Sequence, residues 1–232
     1  MSTYVLIHGA GDSAWYWHLV SAELRAHGHD VVAVDLPCDD DSAGLSEYTD
    51  VVVHGIGDRP DLIVVAQSFG GYTAPLVCAR RRVDLLVFVA GMIPAPGESA
   101  RDMFSNTGYV QPKHDDASEL AVFYHDVPPE LAAEALSKGR NQSETPWREP
   151  WPLSGWPNVP TRYVMCRNDR VFPAAWTRRV VRDRLGIAPN KIDSGHCPAL
   201  SRPKELANLL EAWSASAGSG RGHGRQRSSH AR

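Results

Sequence analysis

Ala66-Gln67-Ser68-Phe69-Gly70-Gly71 follows the apolar run Leu62–Ala66 and opens a stretch, Phe69–Arg82, that reads as helix. A serine between a buried strand and a helix stands at the carboxyl end of a sheet. The turn is so tight that the residues two places to either side must be small. Gly70 meets that demand on one side. On the other stands Ala66, the smallest substitute for the glycine of G-x-S-x-G. Ser68 is therefore a candidate nucleophile. The helix that follows starts with unpaired N–H groups and a partial positive charge. The Phe69 N–H would thus point at the oxyanion formed when Ser68 attacks a carbonyl carbon. The blander reading of the six residues is a strand, a turn and a helix with a capping serine.

Working outward, the first half of the chain alternates strand and helix signals. Tyr4–Ile7, Val31–Val34, Leu62–Ala66 and Leu85–Val89 are short apolar runs. Between them, Asp12–His27 spaces Trp15, Leu19, Ala22 and Ala26 at helical intervals behind the capping candidates Asp12 and Ser13. Ser46–Ile56 reads as a second helix. This alternation predicts an α/β fold with a mostly parallel central sheet and helices on both faces.

The rhythm breaks from Met92 to Pro160, where prolines cluster and no strand is evident. Short helical patches fall at Ala117–His125 and Pro129–Lys138. Residues 95–158 are expected to form a helical lid insertion. The rhythm resumes with a strand at Arg162–Cys166, a helix at Pro173–Leu185, a short strand at Lys191-Ile192 and a helix from Pro203 to about Trp213. One domain over 1–213 is expected. The stretch 214–232, rich in Gly, Ser, Arg and His, reads as a disordered tail.

His8-Gly9-Ala10-Gly11 follows the first strand, and the Ala10 N–H is the candidate second oxyanion donor. Gly9 lets the chain approach a substrate, and His8 supports the loop. The same residues fit another pattern. Gly9-Ala10-Gly11 with Ala14 matches G-x-G-x-x-A, and Asp35 ends the next strand, as in NAD(P)-dependent dehydrogenases. That reading leaves Ser68 and its partners without a role.

A serine hydroxyl is a weak nucleophile and needs a base. Of ten histidines, His196 alone lies in a loop after a late strand, Asp193-Ser194-Gly195-His196-Cys197-Pro198. A carboxylate must hold its tautomer. Asp169, after the strand ending at Cys166, is placed for this. Asp193 is the weaker candidate, too near His196 along the chain. The order Ser68, Asp169, His196 matches that of a nucleophile-elbow hydrolase.

Bulk properties bound the alternatives. The chain has 232 residues, 43% hydrophobic and 22% charged, with net charge −3. This fits an ordinary globular protein and points to no nucleic-acid partner. No apolar stretch approaches the roughly 20 residues that span a bilayer, and no signal peptide is evident. Cys38, Cys78, Cys166 and Cys197 show no C-x-x-C spacing, so metal and redox motifs are not indicated. A cytoplasmic location with free thiols is expected. A homodimer is left open.

The chain resembles the small α/β-hydrolases that include plant methyl-ester esterases and hydroxynitrile lyases. The resemblance covers about residues 3–213. It rests on Val5-Leu6-Ile7-His8-Gly9-Ala10 with Trp15 and Trp17, on Ala66–Gly71, on Pro94-Ala95-Pro96-Gly97-Glu98, on Asp169-Arg170-Val171-Phe172-Pro173, and on Gly195 to Pro203. It implies an α/β-hydrolase fold, a triad of Ser68, His196 and Asp169, and an oxyanion hole of the Ala10 and Phe69 N–H groups. It also implies that no metal or organic cofactor is needed. The lyases carry threonine where Gly9 stands and lysine where Cys197 stands, side chains that handle the cyanohydrin hydroxyl and the departing cyanide. Their absence favours ester hydrolysis. The esterases usually carry methionine where Cys197 stands, so the pocket floor differs. Some relatives have lost catalysis and act as ligand binders. The expected activity is cleavage of a small, mostly apolar ester through an acyl-enzyme on Ser68. Gly9, Cys197 and Trp147 are expected at the substrate pocket.

Overall fold

The computed structural model describes residues 1–219. Six strands, β1 (Thr3–Ile7), β2 (Asp30–Ala33), β3 (Leu62–Gln67), β4 (Val83–Val89), β5 (Thr161–Cys166) and β6 (Asn190–Ile192), form one sheet in the order β2-β1-β3-β4-β5-β6. Every pairing is parallel.

Side chains alternate between the faces of a strand, and here both faces are buried. Val5, Ile7, Val64, Ala66, Leu86, Phe88, Tyr163 and Met165 enter one core. There they meet buried residues of α2 (Leu45–Ile56), α3 (Ala74–Arg80) and α8 (Ala174–Leu185). Tyr4, Leu6, Ile63, Val65, Val87, Val89, Val164 and Cys166 enter the other, against α1 (His18–Ala26), α9 (Pro198–Ser201) and α10 (Pro203–Ser219). This double burial explains why the strands read as unbroken apolar runs. Truncating a residue such as Leu6 to alanine would cost about 2–5 kcal/mol.

Two expected helices are broken by tighter turns. The stretch predicted as helix over Asp12–His27 is a 3₁₀ turn at Ala14–Trp17 followed by α1. Ser13 sits at its start but makes no side-chain cap bond. Phe69–Arg82 is likewise a 3₁₀ turn at Ser68–Tyr72 and then the seven residues of α3. The helix after Ser68 is thus short, and Pro75 lies in its first turn.

Between β4 and β5 lie α4 (Ala100–Asn106), α5 (Glu119–Phe123), α6 (Pro129–Lys138) and α7 (Thr145–Arg148), and no strand. Of these, α6 has the predicted bounds, α5 is shorter than its patch, and α4 and α7 gave no clear signal. The root of this insertion is pinned by Glu98. Its carboxylate takes two bonds from Arg184, at 2.5 and 2.7 Å, and its carbonyl accepts the Trp151 N–H at 3.1 Å. The last helix outruns its expected end at Trp213 and continues to Ser219, so 214–219 belongs to α10 and not to a tail. The rest of the predicted tail lies outside the described residues.

Register places the loops. Ile7 pairs with Ala66, and Cys166 pairs with Ile192. The loops after β1, β3, β5 and β6 therefore leave the same edge of the sheet, the usual location of ligand sites in such folds.

Candidate active site

Ser68 has φ 49°, a left-handed conformation that costs a non-glycine residue about 1–3 kcal/mol. The surroundings enforce it. The Ser68 carbonyl accepts the Met92 N–H at 2.9 Å. A Cβ on Gly70 would lie 2.5 Å from the His8 carbonyl oxygen, so only glycine fits there. Ala66 is fully buried in the first small-residue position.

His196 is 2% exposed, and its Nε2 lies 3.1 Å from Ser68 Oγ. Its Nδ1 lies 2.9 Å from Asp169 Oδ2. The other Asp169 oxygen, Oδ1, accepts the N–H groups of Val171 and Phe172 at 2.8 and 2.9 Å. The Phe123 and Phe172 rings meet the imidazole edge-on, with centroids at 5.5 and 5.1 Å. Asp193 instead faces Arg167 at 3.3 Å, with its side chain 68% exposed. The three residues singled out in the sequence thus form one hydrogen-bonded line, and Asp193 is outside it. An aligned imidazole of this kind can accept a hydroxyl proton from Ser68.

The loop after β1 lies against the serine. A Cβ on Gly9 would sit 3.0 Å from Ser68 Cβ and 2.3 Å from Gln67 Oε1. Ala10 is exposed beside this contact. His8 secures the loop from behind. Its Nε2 accepts the Leu36 N–H at 3.0 Å, which leaves Nδ1–H to donate to the Gly9 carbonyl at 2.7 Å. Burial pulls its pKa down to about 4, so the ring is neutral at pH 7. Burial pushes the Asp12 carboxyl, farther along the same loop, up to about 6.

The glycine loop is arranged unlike a dinucleotide site. The Gly11 N–H donates to Gln142 Oε1 at 3.1 Å, and the Gly11 carbonyl accepts the Arg140 N–H at 2.7 Å. Asp35 turns back to accept the Ala14 N–H at 2.7 Å. The insertion therefore takes the Gly11 N–H that a pyrophosphate would use, and Asp35, the residue that would meet a ribose, is engaged by Ala14.

A cavity of about 550 Å³ opens at Ala10 and Gly11 beside the insertion, between Phe123, Tyr124, Arg140 and Asn141. The three expected pocket residues stand apart from its lining. Gly9 is packed on Ser68 and Gln67. Trp147 stacks on the Phe69 ring, with centroids 4.3 Å apart and planes 4° apart. Cys197 is buried, and burial pushes its thiol well above its ordinary pKa. The histidine-bearing loop also has partners that sequence reasoning missed, His125 and Asp126. The Asp126–Gly195 contact spans 69 residues, so no local pattern in the sequence marked them.

Residues 4–209 match the model of the Alpha/beta hydrolase family. The chain belongs to the alpha/beta hydrolase family. The six-stranded parallel sheet with helices on both faces is the fold of the family. Norfluorocurarine synthase 1 of a Strychnos species is 23% identical, over 90% of this chain and 93% of its own. Methylesterase 3 of Arabidopsis thaliana is 26% identical, over 89% and 93%. The solved structure of a pyrethroid hydrolase from Sphingobium faniae JZ-2 superposes with TM-score 0.76 at 20% identity, covering 94% of this chain and 99% of that one. Among the described residues, no helix is long and apolar enough to cross a membrane.

Proposed function

We propose that the protein is a serine hydrolase of small carboxylic esters, acting through an acyl-enzyme on Ser68. The observation that carries this reading is the line from Ser68 Oγ to His196 Nε2 and from His196 Nδ1 to Asp169, at 3.1 and 2.9 Å. Ser68 attacks the ester carbonyl carbon as its proton passes to His196. Asp169 holds the imidazole with Nδ1 protonated and stabilises the imidazolium. The Phe69 and Ala10 N–H groups donate hydrogen bonds to the oxyanion. His196 then protonates the departing alkoxide. Water, deprotonated by His196, attacks the acyl carbon and releases the acid and Ser68. Membership of the hydrolase family and the likeness to a methylesterase support ester hydrolysis. The proposed substrate is small and mostly apolar, its apolar part against Phe123 beside His196; the cavity at Ala10 is lined largely by polar groups, Arg140, Asn141 and Gln142 among them, and would take a polar end.

The test joins a variant to a label. Ser68→Ala should remain folded, since one small side chain replaces another, and should lose roughly 10⁴-fold or more in kcat toward a short-chain nitrophenyl ester. A fluorophosphonate should add to Ser68 of the parent, read by mass spectrometry. Full activity in Ser68→Ala with no adduct on Ser68 would overturn the proposal.

A further inference from the structure

The lid insertion reaches the catalytic loops through two adjacent residues. Asp126 Oδ2 accepts the Gly195 N–H at 2.8 Å, one residue before His196. His125 Nε2 lies 3.0 Å from the Asn168 carbonyl oxygen, one residue before Asp169. The two loops are also tied to each other, because the Asn168 N–H donates to the Ser194 carbonyl at 3.0 Å. From the opposite side, Gln67 Nε2 donates to the His196 carbonyl at 3.3 Å. The peptide that carries the base is therefore held between the elbow strand and the lid.

Two observations argue that this contact serves position and not stability alone. Asp126 Oδ1 is buried without a hydrogen-bond partner among the described residues. A buried unmet acceptor costs about 1–3 kcal/mol, so the carboxylate is a poor choice for stability. Space at the contact is also closed. A Cβ on Gly195 would lie 2.6 Å from Asp126 Oδ1 and 2.7 Å from His125 Nε2. The loop thus approaches the lid as closely as backbone allows, in front of an imidazole whose 3.1 Å reach to Ser68 leaves little slack.

We propose that Asp126 is a positioning residue for the base: by holding the Gly195 N–H it fixes the His196 loop, so that a docked lid is a condition of catalysis. This rests on the serine-hydrolase reading above. Asp126 touches no reacting atom and acts through His196. A misplacement of about 1 Å at a catalytic group can cost about 100-fold in rate.

The experiment uses the full chain, a nitrophenyl ester and a fluorophosphonate, with rates normalised to folded protein. Asp126→Ala should lower kcat about 10–100-fold with KM within about threefold, and should slow phosphonylation of Ser68 in parallel. Asp126→Asn, whose amide oxygen can still accept the Gly195 N–H, should stay within about threefold of the parent. Gly195→Ala, which displaces the contact while keeping the carboxylate, should repeat the alanine loss and covers the case in which Asp126→Ala does not fold. Full kcat in a folded Asp126→Ala or Gly195→Ala, or an asparagine variant as impaired as the alanine one, would overturn the inference. If Ser68 is labelled and essential while those variants are fully active, only this inference falls. If Ser68 takes no phosphonate in the parent, both readings fall.

Discussion

Asp169 Oδ2 lies 2.9 Å from His196 Nδ1, while its Oδ1 is already bound by the N–H groups of Val171 and Phe172. This division of labour predicts what asparagine would do in its place. The backbone donors would claim the amide oxygen, so the amide NH₂ would face His196. Nδ1 would then have to accept a hydrogen bond, and the ring proton would move to Nε2, where it blocks transfer from Ser68. Asp169→Asn should therefore cut kcat by about 10⁴-fold. Asp193→Asn, whose parent carboxylate faces solvent and Arg167, should stay within about twofold. Ester kinetics on the two variants check this. Equal losses would refute the assignment of the acid.

The second prediction concerns pH and the loop after β1. His8 holds Gly9 and Leu36 with its two ring nitrogens, and burial lowers its pKa from 6.5 to about 4. Between those values the folded chain binds fewer protons than the unfolded one. The contribution of His8 is thus fully present above pH 6.5 and is lost as pH falls toward 4, up to about 3 kcal/mol. Asp12, raised by burial from 3.8 to about 6, acts in the opposite sense. Total stability against pH therefore mixes the two, and a site-specific reading is required. Nitrogen-detected NMR of the His8 ring should show the neutral Nδ1–H form down to about pH 5. A His8 ring that titrates near 6.5 would refute this.

The strands were legible because both sheet faces are buried. Val64, Ala66, Leu86 and Phe88 face one core and Val65, Val87 and Val89 the other, so each run is apolar throughout. Ser68 and its partners were legible because small residues and chain order mark them. The helix starts were not. A 3₁₀ turn keeps nearly the same spacing of apolar residues as an α-helix, and Trp15 and Phe69 fit both. The insertion was hardest, since α5 and α7 are held by long-range contacts such as Phe123 on His196 and Trp147 on Phe69. The Asp126–Gly195 bond spans 69 residues and leaves no local pattern.

The last prediction separates ester hydrolysis from cyanohydrin cleavage. The lyases that this chain resembles carry threonine in the place of Gly9 and lysine in that of Cys197. Neither group is present, so mandelonitrile should not be cleaved above background, while a short-chain nitrophenyl ester should be. The structure adds that threonine alone would not convert the site. Its Cβ would lie 2.3 Å from Gln67 Oε1 and 3.0 Å from Ser68 Cβ, contacts that force the glutamine to move. That glutamine also donates to the His196 carbonyl at 3.3 Å, so its displacement loosens the loop that carries the base. Gly9→Thr should therefore release no cyanide and should lose about tenfold or more of its esterase kcat. Cyanide assays and ester kinetics on parent and variant check both halves. Brisk cyanide release by the parent, abolished in Ser68→Ala, would mean that the same three residues perform the other reaction.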